Sequence, residues 1–177
     1  STRGGGDNLY ARLKELHPYV GMHHRLDTPA SGALLFSLDR GANPALAEAF
    51  RERRIHRRYR VVVLGDPGAG GQWTTPVEGK PAATNWRRLG EKGGLSLLEV
   101  ALETGRTHQI RIQAVEAGHP VIGDRQHGGA AARLWSRLAL HAFRLDLKHP
   151  VTGKPLGVES PIPSDLSPLI EPIEGRA

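Results

Sequence analysis

Two runs of residues, 82–90 and 95–103, flank Glu91-Lys92-Gly93-Gly94 and constrain this chain more than any other feature. Leu98, Val100 and Leu102 alternate with polar neighbours, the period of a strand with one buried face, so the runs are expected to pair as a hairpin. Arg58 to Leu64 is rich in valine and ends at Gly65-Asp66-Pro67-Gly68; it reads as another strand, followed by a loop over 65–71. Ala33 to Leu38 reads as a buried strand. Leu138 to Leu147 reads as a further one, with a turn at His149-Pro150-Val151-Thr152-Gly153 and a short return strand.

Helices fall irregularly between these strands. Asp7 is placed to cap a helix carrying Leu9, Leu13 and Leu16 on one face and ending near His17-Pro18. Asn43-Pro44 opens a second, with Leu46, Ala47 and Phe50 as its apolar stripe. Thr107 is the expected N-cap of a third that stops at Gly118. Such an order argues for an α+β protein with a mixed, mainly antiparallel sheet and flanking helices, rather than βαβ alternation. A chain of 177 residues holds one sizeable core, so a single domain over 1–177 is expected. From residue 159 the sequence is acidic and proline-punctuated, with Glu159, Asp165, Glu171 and Glu174 against Arg176; this tail is expected to be extended.

Composition limits the chemistry. There is no cysteine, which removes thiolate metal sites and cysteine nucleophiles. Ser1 to Gly6 lacks a signal-peptide core, and no apolar run approaches the roughly 18 residues of a membrane span, so a cytoplasmic location is the default. The net charge of +6 is local: residues 51–60 hold six arginines against one glutamate. Guanidinium groups fork onto phosphate oxygens, which makes nucleic acid the leading partner class; the plainer reading is a solvated helix face. No long exposed apolar helix suggests an oligomer, and a monomer is expected.

Three polar stretches stand among the apolar strands: His24-Arg25-Leu26-Asp27 with Ser31-Gly32, Gly105-Arg106-Thr107-His108-Gln109-Ile110-Arg111, and Leu138-Ala139-Leu140-His141-Ala142. Each alone has a structural explanation as a turn, cap or surface segment. In this order and spacing they resemble the RluA-type pseudouridine synthase family over about residues 23–156. That family's His-Arg-Leu-Asp loop is matched at 24–27, its Lys-x-Tyr segment loosely at Arg57-Arg58-Tyr59, and its Gly-Arg-Thr-His-Gln-Ile-Arg motif without change at 105–111. Ala30 stands where the family has threonine. The family's usual strand and Lys-Pro segment before the first motif have no counterpart here, so the sheet is expected to lack an N-terminal strand.

The resemblance implies a sheet crossed by an active-site cleft, an RNA substrate (ribosomal or transfer RNA), and uridine isomerisation without cofactor. Asp27 is then the nucleophile, attacking either the anomeric carbon or carbon 6 of the base. Burial alone would raise the pKa of such a carboxylate, and an arginine partner opposes that; Arg111 is the candidate. Tyr59 offers a ring for stacking and a phenol for moving the carbon 5 proton. Leu140 is an apolar wall. By resemblance Arg25 fills the gap left by a flipped base; a phosphate contact is the alternative. Arg57 and Arg58, with the other arginines of 51–60, form a clamp on the RNA backbone, and Arg106 and His108 shape the pocket.

Three other readings compete. A metallohydrolase would use His23, His24 and Asp27, or His17 and His56, but no strong ligand spacing is present and neighbouring residues on a strand point to opposite faces, so no metal is expected. A silent RNA-binding module has no use for a carboxylate facing a polyanion. A glycosidase needs a second carboxylate paired with Asp27, and none is evident.

Overall fold

The computed structural model describes residues 8–175. The chain runs α1 (Leu9–Leu16), β1 (Gly21–Met22), β2 (Ser31–Gly32), β3 (Phe36–Ser37), α2 (Asn43–Arg51), β4 (His56–Leu64), β5 (Gly70–Trp73), β6 (Thr84–Lys92), β7 (Leu95–Leu102), α3 (Gln109–Glu116), β8 (Leu140–Lys148), β9 (Pro155–Glu159) and α4 (Ser167–Glu174). The main sheet has the order β2-β8-β4-β7-β6-β5, and β9 continues the edge of β8 beyond β2. All its pairings are antiparallel except β2 with β8. The α+β expectation therefore holds. Among the described residues no helix is long and apolar enough to cross a membrane.

The hairpin is tighter than its sequence suggests. Glu91 and Lys92 still pair with Ser96 and Leu95, leaving Gly93-Gly94 as a two-residue turn with φ of 62° and 75°. Two successive left-handed residues match the twist of the flanking strands, and glycine adopts them without strain.

Val61, Val62 and Val63 are all fully buried because the sheet is covered on both faces. Val61 and Val63 join Tyr59, Leu98, Val100, Ile110 and Ala114 under α3; Val62 joins Leu97, Leu169, Ile170 and Ile173 under α4. This second layer corrects the expectation of an extended tail. Pro168 falls in the first turn, where no N–H is needed, and the apolar face of α4 outweighs the bond lost at Pro172 inside the helix.

Other boundaries also move. The cap of α1 is Asn8, whose side chain accepts from the Ala11 N–H at 3.0 Å; Asp7 lies outside the described residues. The stretch 33–38 is not one strand: β2 pairs with β8, while β3 pairs with β1 in a separate two-stranded ribbon. In α2 the buried residues are Leu46 and Ala49, with Ala47 exposed. β5 occupies part of the stretch expected to be loop. Thr107 does not cap α3. His108 precedes the helix in a left-handed conformation, and Gly118 lies beyond its end at φ 83°.

Gly32 is the tightest point of the short parallel contact. A Cβ there would lie 2.2 Å from the Ala142 carbonyl oxygen, and its φ is +119°. Gly32→Ala is expected to lower unfolding stability by about 1–3 kcal/mol, measured as a shift in the urea midpoint.

Candidate active site

The loop between β1 and β2, the start of β4 and the segment leading into α3 enclose a cleft of about 500 Å³. Asp27, Arg25, Arg57, Tyr59, Arg106, His108, Arg111 and Leu140 all line it. Arg58 does not. Residues alternate faces along β4, so Arg57 and Tyr59 face the cleft while Arg58 is exposed between them.

The arginine run is likewise not one clamp. The Arg60 guanidinium lies 3.9 Å from the Phe143 ring centroid and pairs with Glu99 and Glu174. Glu48 and Glu52 engage Arg51 and Arg54, and Glu103 is 3.9 Å from Arg53. Strand alternation and these carboxylates divide residues that are contiguous in sequence.

The loop bearing Asp27 is pinned at both ends. Before it, the His24 Nε2 accepts from the Leu35 N–H at 2.9 Å. Burial, with the charge of Arg57 and neighbouring His23, lowers its pKa to about 4, so the ring is neutral. His23 Nε2 lies 3.0 Å from Ser37 Oγ. The two rings suggested as metal ligands thus serve as separate clips.

After the loop, Ser31 Oγ is 2.8 Å from His141 Nδ1 and accepts from Arg137 Nη2 at 2.7 Å. His141 Nε2 lies 3.1 Å from the Ser160 carbonyl, which can only accept, so Nε2 carries the hydrogen and Nδ1 accepts from the serine hydroxyl. His141 is buried, and burial lowers its pKa.

Arg111, on the first turn of α3, joins the loop to the rest of the site. Its Nη1 donates to Asp27 Oδ2 at 3.2 Å, while Nε and Nη2 form a fork on Asp124 at 2.8 and 2.6 Å. Arg111 is 2% exposed and Asp124 1%. Burial opposes the charge of each, but their mutual hydrogen bonds prevail: Arg111 is pushed above its ordinary pKa and Asp124 held below the usual carboxylate range. Asp124 also accepts from the backbone N–H groups of Gln126 and His127.

Sequence reasoning missed Asp124. A buried arginine touching one carboxylate calls for a second, and Asp124 follows the apolar Pro120-Val121-Ile122, but nothing local says that it faces Arg111.

The start of α3 is set by buried amides. Gln109 accepts from Thr104 Oγ1 and the Arg106 N–H and donates to Ala83 O and Thr84 Oγ1; Gln113 donates to Thr75 O and accepts from Thr84 Oγ1. Arg106 is exposed, with Nε on the Pro81 carbonyl at 3.3 Å. Tyr59 is buried, which raises the pKa of its phenol. Arg25 is exposed at the edge of the cleft.

This arrangement places one carboxylate, supported by a buried arginine, beside an aromatic ring and an apolar wall. A sequence model described as RNA pseudouridylate synthase matches residues 4–115. An uncharacterized RNA pseudouridine synthase of Chloroflexus aurantiacus is 36% identical over 92% of this chain and 56% of its own length. Ribosomal large subunit pseudouridine synthase D of Nitrosomonas europaea is 36% identical over 88% of the chain and 52% of its own length; that of Escherichia coli is 34% identical over 87% and 56%. The chain thus spans about half the length of the curated relatives it matches.

Human RNA pseudouridylate synthase domain containing 1 superposes with a TM-score of 0.74 at 28% identity, covering 88% of this chain and 74% of that one. Human RNA pseudouridylate synthase domain containing 4 shares the fold, with a TM-score of 0.70 at 21% identity over 88% of this chain and 78% of that one. By the matched residues and these relatives, the chain belongs to the RNA pseudouridylate synthase family, in its RluA-type branch.

Proposed function

We propose that this chain isomerises uridine to pseudouridine within RNA, with Asp27 as the nucleophile. The observation that carries the reading is the bridge from Asp27 through Arg111 to buried Asp124, which holds a reactive carboxylate oriented in a cleft wide enough for a base. The reaction breaks the bond from N1 to the anomeric carbon and makes one from carbon 5. It removes the carbon 5 proton and protonates N1, with no change in oxidation state. A carboxylate that bonds transiently to the anomeric carbon or carbon 6 divides this into two easier steps.

Tyr59 stacks on the base. Burial favours its protonated phenol, so it moves a proton by exchange rather than acting as a free phenolate. Leu140 closes the apolar side of the cleft, Arg25 occupies the place vacated by the flipped uridine, and Arg57 reaches the RNA backbone. The names of the relatives make ribosomal RNA the first substrate to try, with transfer RNA as the second.

The test is tritium release from RNA labelled at carbon 5 of uridine, with neither metal nor nucleotide added. Steady release is the expected result. Salt-sensitive RNA binding without any release from either RNA class would instead mark a silent binding module.

A further inference from the structure

Two imidazoles beside the nucleophile have no part in the reaction as set out above. His108 and His127 meet edge to face, with ring centroids 5.1 Å apart and an interplanar angle of 71°. His108 Nδ1 is 2.9 Å from His127 Nε2, a hydrogen bond in which one proton lies between two nitrogens. The other nitrogen of His108, Nε2, faces Asp27 Oδ1 at 3.8 Å.

The backbone holds both rings in place. His108 has φ 54°, a conformation that non-glycine residues rarely adopt. The His127 N–H donates to Asp124 Oδ1, the same oxygen that takes Arg111 Nη2. Asp27, Arg111, Asp124, His127 and His108 thus form a ring of five residues, of which Asp27, His108 and Arg111 line the cleft.

Only one placement of the shared proton suits that ring. If His108 donated from Nδ1, its Nε2 lone pair would point at the Asp27 carboxylate. If His127 donates from Nε2, His108 carries its own hydrogen on Nε2 and turns an N–H toward Asp27. The hydrogen bond at one imidazole nitrogen sets the tautomer of the other. We propose that His127 fixes His108 as the Nε2–H tautomer, making it a neutral hydrogen-bond donor beside Asp27 that receives the negative charge gathering on the uracil as its bond to ribose breaks. At 3.8 Å from Asp27 Oδ1 the N–H is too far to hydrogen-bond that oxygen and stays available to an acceptor on the base held against it, and a donor in place before charge develops lowers the barrier without reorganisation. A cation there would pair with Asp27 and occupy the lone pair that must attack.

The charged and titratable groups facing the pair come from three segments: Asp27 from the loop before β2, Arg111 from α3, and Asp124 with His127 from the stretch after α3. Burial lowers the pKa of His108; Asp27 opposes, Arg111 and His127 add to the lowering, and Asp124 opposes. His108 is therefore held below the ordinary imidazole value, which favours its neutral form. Activity should fall as pH drops through that lowered value.

The proposal rests on the pseudouridine synthase reading, but its first test needs no RNA. Nitrogen-15 NMR of the imidazoles in the free protein at pH 7 should show His108 protonated at Nε2 and bare at Nδ1, and His127→Leu should convert it to a mixture. A His108 that carries hydrogen on Nδ1, or is cationic, overturns the proposal whatever the protein does to RNA. In turnover, His127→Leu should lower kcat about tenfold or more with KM within about twofold, whereas His127→Gln, whose amide N–H can replace the imidazole donor, should recover most of that loss. Equal losses in the two variants, divided between kcat and KM and accompanied by equally lowered unfolding midpoints, would assign His127 a structural role and sink the idea.

Discussion

Asp27→Asn should reduce tritium release from carbon 5 of uridine by at least about 10⁴-fold, the scale on which enzymes lose activity when a nucleophile is removed. The substitution keeps the size of the side chain and one acceptor oxygen, and Arg111 retains its fork on Asp124. Unfolding stability should therefore change by about 1 kcal/mol or less, and affinity for RNA should stay within a few-fold, because the basic side chains proposed to meet the RNA backbone are untouched. The measurement is a paired one: tritium release and RNA binding on the same preparations. Activity within tenfold of the original chain, with binding intact, would remove Asp27 from the nucleophile's role.

The second large effect concerns the support of the site rather than its reactive group. Asp124→Ala removes both forked hydrogen bonds from Arg111 and the acceptor of the Gln126 and His127 N–H groups. It leaves a guanidinium that is 2% exposed with Asp27 as its remaining carboxylate. Breaking a buried ion pair from one side costs about 3–5 kcal/mol, and the single longer contact to Asp27 does not replace the fork on Asp124 for a guanidinium shut off from water. A urea titration should show that loss, together with a collapse of activity as Arg111 and the Asp27 loop lose their fixed geometry. The double variant Arg111→Met/Asp124→Leu separates the two consequences: replacing both charges with apolar groups should restore most of the stability and none of the activity. Recovery of activity in the double variant would mean that the bridge is scaffolding only.

Much of this was legible in local sequence. The hairpin strands, the valine-rich β4 and the β8–β9 return follow from periodicity and turn residues, since a half-buried strand repeats every two residues and glycine marks the reversals. Asp27, Tyr59 and Arg111 were singled out through the family resemblance that the stretches 24–27, 57–59 and 105–111 carry, and they do meet in one cleft. The same local logic failed where burial alone decides. The helix α4 carries two prolines and reads as extended until Val62 and Leu97 provide a surface for Ile170 and Ile173. In α3 the buried residues include Gln109, Arg111 and Gln113, so the helix has no clean apolar stripe.

The site divides in the same way. Sequence by itself determined most of the strands and the motifs that lie beside them, because strand period and motif order are properties of neighbours along the chain, and the family resemblance of those motifs named the candidate residues. Only the tertiary structure decided that Arg111 is shared between Asp27 and Asp124, that His127 reaches His108, and that Arg58 and Arg60 leave the cleft while Arg57 stays. These are contacts between residues distant in the chain, 84 positions apart for Asp27 and Arg111, and they form only once strand order and helix placement have brought those segments together.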